Sequence, residues 1–128
     1  MKPNYKIAMA MLAGVAFGAL AVQGLHAQAN PPVYVVTEID VTNLDAYVKE
    51  YAPLAQAAIK AGGGRLLAVG QNAVAIEGTP PKSRVAIQQW QSMEQYKAYR
   101  ASAALADARK IGDKYAKFRT FAIEGVPQ

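Results

Sequence analysis

Two helix-start signals in this chain follow closely on β-branched runs, and that pairing restricts the fold more than any bulk property. Val33–Val41, VYVVTEIDV, is rich in β-branched residues and predicts a strand. It runs into Thr42-Asn43-Leu44-Asp45, a Ser/Thr-x-x-acid pattern that caps a helix N-terminus. Arg84–Trp90, RVAIQQW, predicts another strand and leads into Ser92-Met93-Glu94-Gln95, a second capping box. After the first cap, Leu44, Tyr47, Val48, Tyr51, Ala55, Ala58 and Ile59 recur at helical spacing. Pro53 interrupts that run, so it kinks the helix or starts a second piece at its own first turn. After the second cap comes a helix through Tyr96, Tyr99 and Arg100, then a further apolar stripe of Leu105, Ala108, Ile111, Gly112 and Tyr115.

The remaining segments complete the order. Gly62-Gly63-Gly64 reads as a helix C-cap and turn, because no Gly-Lys-Ser/Thr or G-x-G-x-x-G context makes it a phosphate cradle. Residues 65–69 and 74–77 predict one strand broken at Gly70, or two short ones, before the turn at 78–82. Residues 118–123, FRTFAI, predict the last strand, stopped by Glu124-Gly125 and Pro127. The order β-α-β-β-α-β is the split βαβ, ferredoxin-like arrangement: an α+β domain with an antiparallel sheet and helices on one face.

The second face of that sheet is not properly polar. On the first strand one parity holds Val33, Val35, Thr37 and Ile39, and the other Tyr34, Val36, Glu38 and Asp40. On Arg84–Trp90 the parities are Val85, Ile87, Gln89 and Arg84, Ala86, Gln88, Trp90. Apolar side chains on both faces imply cover on both. The chain has no cysteine, so disulfides cannot reinforce a thin core. A second copy placed sheet-to-sheet would supply the cover, and a two-fold homodimer is the expectation.

The N-terminal stretch has a different character. Lys2 and Lys6 precede an uncharged run over residues 7–22, IAMAMLAGVAFGALAV, and then a more polar, small-residue region. This three-part order is that of a cleavable signal peptide, residues 1–29, cut after Ala29 in Ala27-Gln28-Ala29 or alternatively after Ala27. A 16-residue apolar helix would reach only about 24 Å, short of a ~30 Å hydrocarbon core, so no stable membrane anchor is expected after cleavage. One domain, residues 30–128, would remain as a periplasmic or secreted product.

Removing Lys2 and Lys6 takes 14 basic residues to 12 against 9 acidic ones, a net charge of +3. That mild excess suits an acidic small ligand and falls far short of a nucleic-acid footprint. His26, the single histidine, leaves with the leader. Without His or Cys the domain cannot build the usual zinc sites, a histidine-ligated haem, or Ser-His-Asp and Cys-His catalysis. No D-x-D-x-D-G calcium loop is present either, and no metal is expected.

Residues 33–126 resemble the "domain of unknown function 1330" (DUF1330) family of the dimeric α-β barrel superfamily. The matching pieces are Tyr34-Val35-Val36-Thr37-Glu38-Ile39-Asp40-Val41, Asp45-Ala46-Tyr47, Tyr51, Gly63-Gly64-Arg65, Glu77-Gly78, Arg84-Val85, Ser92-Met93-Glu94 and Glu124-Gly125. The resemblance implies a dimeric α-β barrel and no particular reaction. Related barrels include cofactor-free monooxygenases, lactone isomerases and haem enzymes, and shared fold does not transfer those activities. No cofactor is expected; the haem branch has no histidine ligand here, and tyrosine is its one alternative.

Glu38 is the candidate catalytic residue, an acid inside an otherwise apolar strand on the parity of Tyr34 and Val36. In a closed barrel a carboxyl is pushed toward its protonated form and suits general acid or base work, provided a partner holds its charge. Arg84 is the candidate partner, or the holder of a ligand carboxylate; Trp90 and Tyr34 are further candidates for ligand binding. The competing reading makes Glu38 a structural ion pair and Trp90 a core residue. Tyr47, Tyr51, Tyr96 and Tyr99 read as core-facing rather than as a ligand cage. Arg109, Lys110, Lys114, Lys117 and Arg119, diluted by Asp107 and Asp113, read as a solvated face. Three functions fit: a small-molecule-binding domain, a cofactor-independent enzyme, and a structural or interaction module.

Overall fold

In the computed structural model, which describes residues 31–127, the strands fall close to where the β-branched runs place them. The proposed leader, with both of its cleavage positions, lies outside the described residues. Strand β1 is Val33–Val41, β2 Arg65–Gly70, β3 Arg84–Trp90 and β4 Ala116–Glu124. Helix α1 is a short opening at Leu44–Ala46, followed by a π-helical turn at Tyr47–Tyr51 and by α2 at Ala52–Ala61. Helix α3 is Met93–Arg100 and α4 is Ala103–Gly112. The sheet order is β2-β3-β1-β4, and β1–β3, β1–β4 and β2–β3 all pair antiparallel. The two central strands are therefore those rich in β-branched residues that precede the caps.

The caps act one residue from where the first pattern places them. Asn43, not Thr42, is the first N-cap: its Oδ1 accepts from the Ala46 N–H at 3.2 Å, while the Thr42 hydroxyl donates to the Tyr115 carbonyl at 3.0 Å. Ser92 Oγ accepts from the Gln95 N–H at 3.1 Å, as the capping box requires. Ser102 caps α4 by accepting from the Leu105 N–H at 3.2 Å, a third cap that the Ser/Thr-x-x-acid search does not find. Pro53 sits in the first turn of α2, where its missing N–H costs no helical bond. The π-helical turn just before it widens the backbone between the two helical pieces.

Residues 74–77 form no strand. Val74 is 78% and Ile76 91% exposed, in a segment that leaves the sheet after Gly70. The β-branched pattern there finds no neighbouring strand among the described residues, and a ladder needs one.

The core lies between the sheet and the helices, in two apolar clusters. One gathers Val33, Val35, Ile59, Trp90, Tyr96, Tyr99 and Leu105; the other gathers Ile39, Tyr47, Tyr51, Ala86, Ala108 and Ala116. Trp90 anchors the first: it is 1% exposed, its ring centroid lies 4.5 Å from that of Tyr99, and its indole N–H donates to Gln88 Oε1 at 2.9 Å. The glycine triplet serves this packing. Gly63 takes φ +89° at the turn, and Gly64 faces the indole so closely that a Cβ would come within 2.5 Å of Trp90. The indole is buried and packed against Tyr96 and Tyr99, so Gly64→Ala is expected to destabilise the fold by ~1–3 kcal/mol. Urea unfolding measures this, and an unchanged midpoint would show that the indole can move.

Candidate functional site

The register of β1 against β3 decides which candidate residues meet. Val35 stands opposite Gln88, Thr37 opposite Ala86, and Ile39 opposite Arg84. Directly opposed residues share a face, so Arg84, Ala86, Gln88 and Trp90 point toward the helices with Val35, Thr37 and Ile39. Glu38 points the other way, opposite Val85 on β3 and Arg119 on β4. The expected Glu38–Arg84 pair therefore does not form. Glu38 is ion-paired with Arg119 across the β1–β4 ladder on the open face of the sheet. A side-chain period of two residues puts Glu38 and Arg84 on opposite sides, and no rotamer bridges a sheet. Tyr34 lies on the open face with Glu38, opposite Gln89 and Ile123. Trp90 is committed to the core.

Between the two apolar clusters the helix-facing side of the sheet carries a polar seam. Thr37 and Gln88, both 8% exposed, are the buried polar residues of this region. The Thr37 and Thr120 hydroxyls are 3.1 Å apart across β1 and β4, and Gln88 holds the Trp90 indole. Beside the seam lies a cavity of about 60 Å³, several times the ~10–15 Å³ that one water-sized group needs. Sheet residues Thr37, Arg84, Gln88 and Thr120 form its floor. Tyr47, Tyr51, Tyr96 and Tyr99 close it from the helical side, with Arg100 and Arg109 also in the lining.

Each element places its side chain for a local reason. The Tyr47–Tyr51 pair comes from the π-helical turn before Pro53, and the two rings sit 5.0 Å apart. Arg84, the first residue of β3, sets its guanidinium 5.3 Å from the centre of the Tyr47 ring. Arg109 comes from the last turn of α4; it bonds Asp113 at 3.2 Å and lies 3.7 Å from the centre of the Phe118 ring.

The electrostatics of the lining are one-sided. Among the described residues three arginines face the cavity and no Asp or Glu does. Burial pushes the Tyr47 hydroxyl up to about 12; the neighbouring Tyr51 adds to the rise and Arg84 opposes it. Burial likewise pushes Tyr99 up to about 12, helped by Tyr51 and Tyr96. Tyr51 and Tyr96 are raised in the same direction by burial. At neutral pH these groups are hydroxyls that donate and accept hydrogen bonds, not phenolate bases. Among the described residues no three of His, Cys, Asp or Glu converge on a metal position.

Of the four sequence candidates, only Arg84 lies in the cavity. The residues missed are Thr37, Gln88 and Thr120, together with the tyrosines that read as core. Thr37, amid Val33, Val35 and Ile39, is the polar residue on the more apolar parity of its strand, whereas Gln88 shares its parity with Arg84 as well as Ala86 and Trp90 and carries no such signal. The Thr37 signal was available in the sequence, and it points to the seam more directly than an acid on the mixed parity does.

Four antiparallel strands in the order β2-β3-β1-β4 with their helices on one face define a ferredoxin-like α+β fold. The family model described as "Domain of unknown function (DUF1330)" matches residues 32–126, and the chain belongs to that family. No curated protein matches it.

Solved structures share the fold. A protein of unknown function from Rhodopseudomonas palustris is 13% identical, with a TM-score of 0.57 over 81% of this chain and 92% of that one. An ethyl tert-butyl ether d (EthD) family protein from Bacillus halodurans is 15% identical, with a TM-score of 0.56 over 75% and 99%. SnoaB, a cofactor-independent oxygenase from Streptomyces nogalater, is 10% identical, with a TM-score of 0.52 over 77% and 96%. At these identities the likeness is one of fold.

Proposed function

We propose that this domain binds a small molecule in the cavity between its sheet and helices, acting as a homodimer joined through the open sheet face, and that residues 1–29 direct its export. The observation that carries the binding reading is the polar seam inside the core. Buried polar groups cost folding free energy unless something pairs with them; the Thr37 and Thr120 hydroxyls pair with each other and Gln88 with Trp90, while Arg84 Nε has no partner among the described residues, and all of them converge on a cavity. The dimer reading rests on the row Ile87–Val36–Phe121 across the open face, extended by Ile123, with Phe121 49% and Ile123 64% exposed. Export rests on the three-part character of residues 1–29.

An enzymatic role like that of SnoaB has less support. Glu38, the acid that a general-base mechanism would call on, faces away from the cavity. No Asp or Glu among the described residues lines the cavity, and Tyr47 and Tyr99, neutral at pH 7 even when exposed, are pushed by burial still further from the phenolate form that a base would need.

Native mass spectrometry of the protein purified gently from the exported fraction tests all three parts. The expected spectrum is a dimer of chains beginning at Asn30 or Gln28, carrying added mass from a retained small molecule, and Glu38→Gln keeps that added mass. A bare dimer counts against a retained ligand, a monomer against the shared sheet face, and an intact N-terminus against cleavage.

A further inference from the structure

We infer that the cavity selects a small planar organic anion, an aromatic carboxylate being the simplest case, seated on Arg84. This rests on the small-molecule reading above and names the ligand's chemistry. Arg84 Nε is buried, and no described residue accepts a hydrogen bond from it. The side chain forms no ion pair among the described residues; of the two other arginines in the lining, Arg109 already holds Asp113 and Arg100 is exposed to water at the end of α3. A guanidinium is charged at every accessible pH and has no acceptor atoms, so only an acceptor completes it, and an anionic one also offsets its charge. No Asp or Glu among the described residues lines the cavity, so none of them provides that anion.

The shape of the site restricts the anion further. Beside the Tyr47 ring, a guanidinium offers its N–H edge as a planar fork, the geometry that a carboxylate answers with two parallel hydrogen bonds. Apart from Gln56, Arg100, Arg109 and the polar floor, the lining is aromatic and aliphatic, with tyrosine rings on the helical side and Ile59, Leu66 and Leu105 among the apolar walls. A compact body with a π-face packs there better than a flexible or highly hydrated one. The Thr37–Thr120 and Gln88 groups on the floor then serve a second polar substituent, and a phosphate or sugar, with many acceptors to satisfy, is a poorer match.

Benzoate and phenylacetate are the anionic probes and benzamide the neutral one of matching shape. Calorimetry gives affinities, and amide shifts at Thr37, Gln88 and Thr120 locate the probes. The expected result is that both anions move those amides and that benzamide binds at least about tenfold more weakly, the loss of a charge-assisted hydrogen bond. Arg84→Met is expected to bind benzoate no better than benzamide, and Arg84→Lys to fall between, since an ammonium keeps the charge without the fork. If Arg84→Met does not fold, the benzoate-to-benzamide ratio in the wild type and in Arg84→Lys decides. Benzamide binding as tightly as benzoate, at the same amides, would overturn the anion assignment and leave the cavity reading intact. No probe reaching those amides would overturn both.

Discussion

A Val36→Glu variant is expected to behave as a monomer under conditions where the wild type is a dimer. Val36 lies in the middle of β1, a central strand, and its side chain points to the open face between Ile87 on β3 and Phe121 on β4. In a two-fold sheet-to-sheet dimer a substitution appears twice, once from each copy, on the same buried patch. Each carboxylate would lose its water there without a positive partner, at an effective cost of several kcal/mol per ion. Two such charges weaken association by at least about a thousandfold. Arg119 is the nearest cation on the face, and it is already occupied by Glu38. Light scattering on the eluting protein reads the mass directly. A variant that stays dimeric places the interface elsewhere and leaves the apolar row needing another partner. Folding of the single copy is checked separately by circular dichroism, because the row is exposed when no second copy covers it.

The same face illustrates what the sequence makes legible. Alternation along Val33–Val41 and Arg84–Trp90, with a cap near the end of each, determines strand identity and the α+β order, because a period of two and a cap are local properties. Which parity of one strand shares a face with which parity of the next is not local: it depends on register, and a one-residue slip exchanges the faces. That is where the Glu38–Arg84 pairing failed. Each residue alone looked like a charge in an apolar strand, but the β1–β3 register sets Arg84 opposite Ile39. Residues 74–77 misled in the opposite direction, since a strand-forming pattern is necessary for a ladder and not sufficient. The cavity was harder to see because its tyrosines do two things at once. Tyr47, Tyr51, Tyr96 and Tyr99 are core residues, as helical spacing implies, and their rings also border the seam left between two apolar clusters. Helical periodicity reports burial, whereas a gap between two clusters is a property of the packed domain.

Those tyrosines should also set the alkaline limit of the fold. Tyr47 and Tyr99 ionise near 10.0 when exposed in the unfolded chain and near 12 in the folded one. Between those values the unfolded chain binds fewer protons than the folded chain, so stability falls as pH rises. The contribution is fully present below pH 10 and is lost as pH climbs through the folded value of about 12. A shift of this size is worth at most about 2–3 kcal/mol per group once solvent screening is allowed for, and because both phenols feel the charge on Tyr51 the two contributions do not simply add. Typical domains have only about 5–15 kcal/mol in all, so the protein is expected to lose a large part of its stability in this window. Urea unfolding measured at steps from pH 8 to 12 should show a flat region followed by a steep decline. Tyr47→Phe and Tyr99→Phe keep the ring packing and remove the ionisable hydroxyl, so each should flatten the decline. Spectrophotometric titration should show the corresponding late-ionising phenols disappear one at a time. A Tyr47→Phe protein that declines as steeply as the wild type would mean that the ring sits in water rather than over the cavity. The seam, the cavity and the alkaline limit thus depend on one arrangement: aromatic hydroxyls buried beside arginines from β3, α3 and α4, in a cavity that no Asp or Glu among the described residues lines.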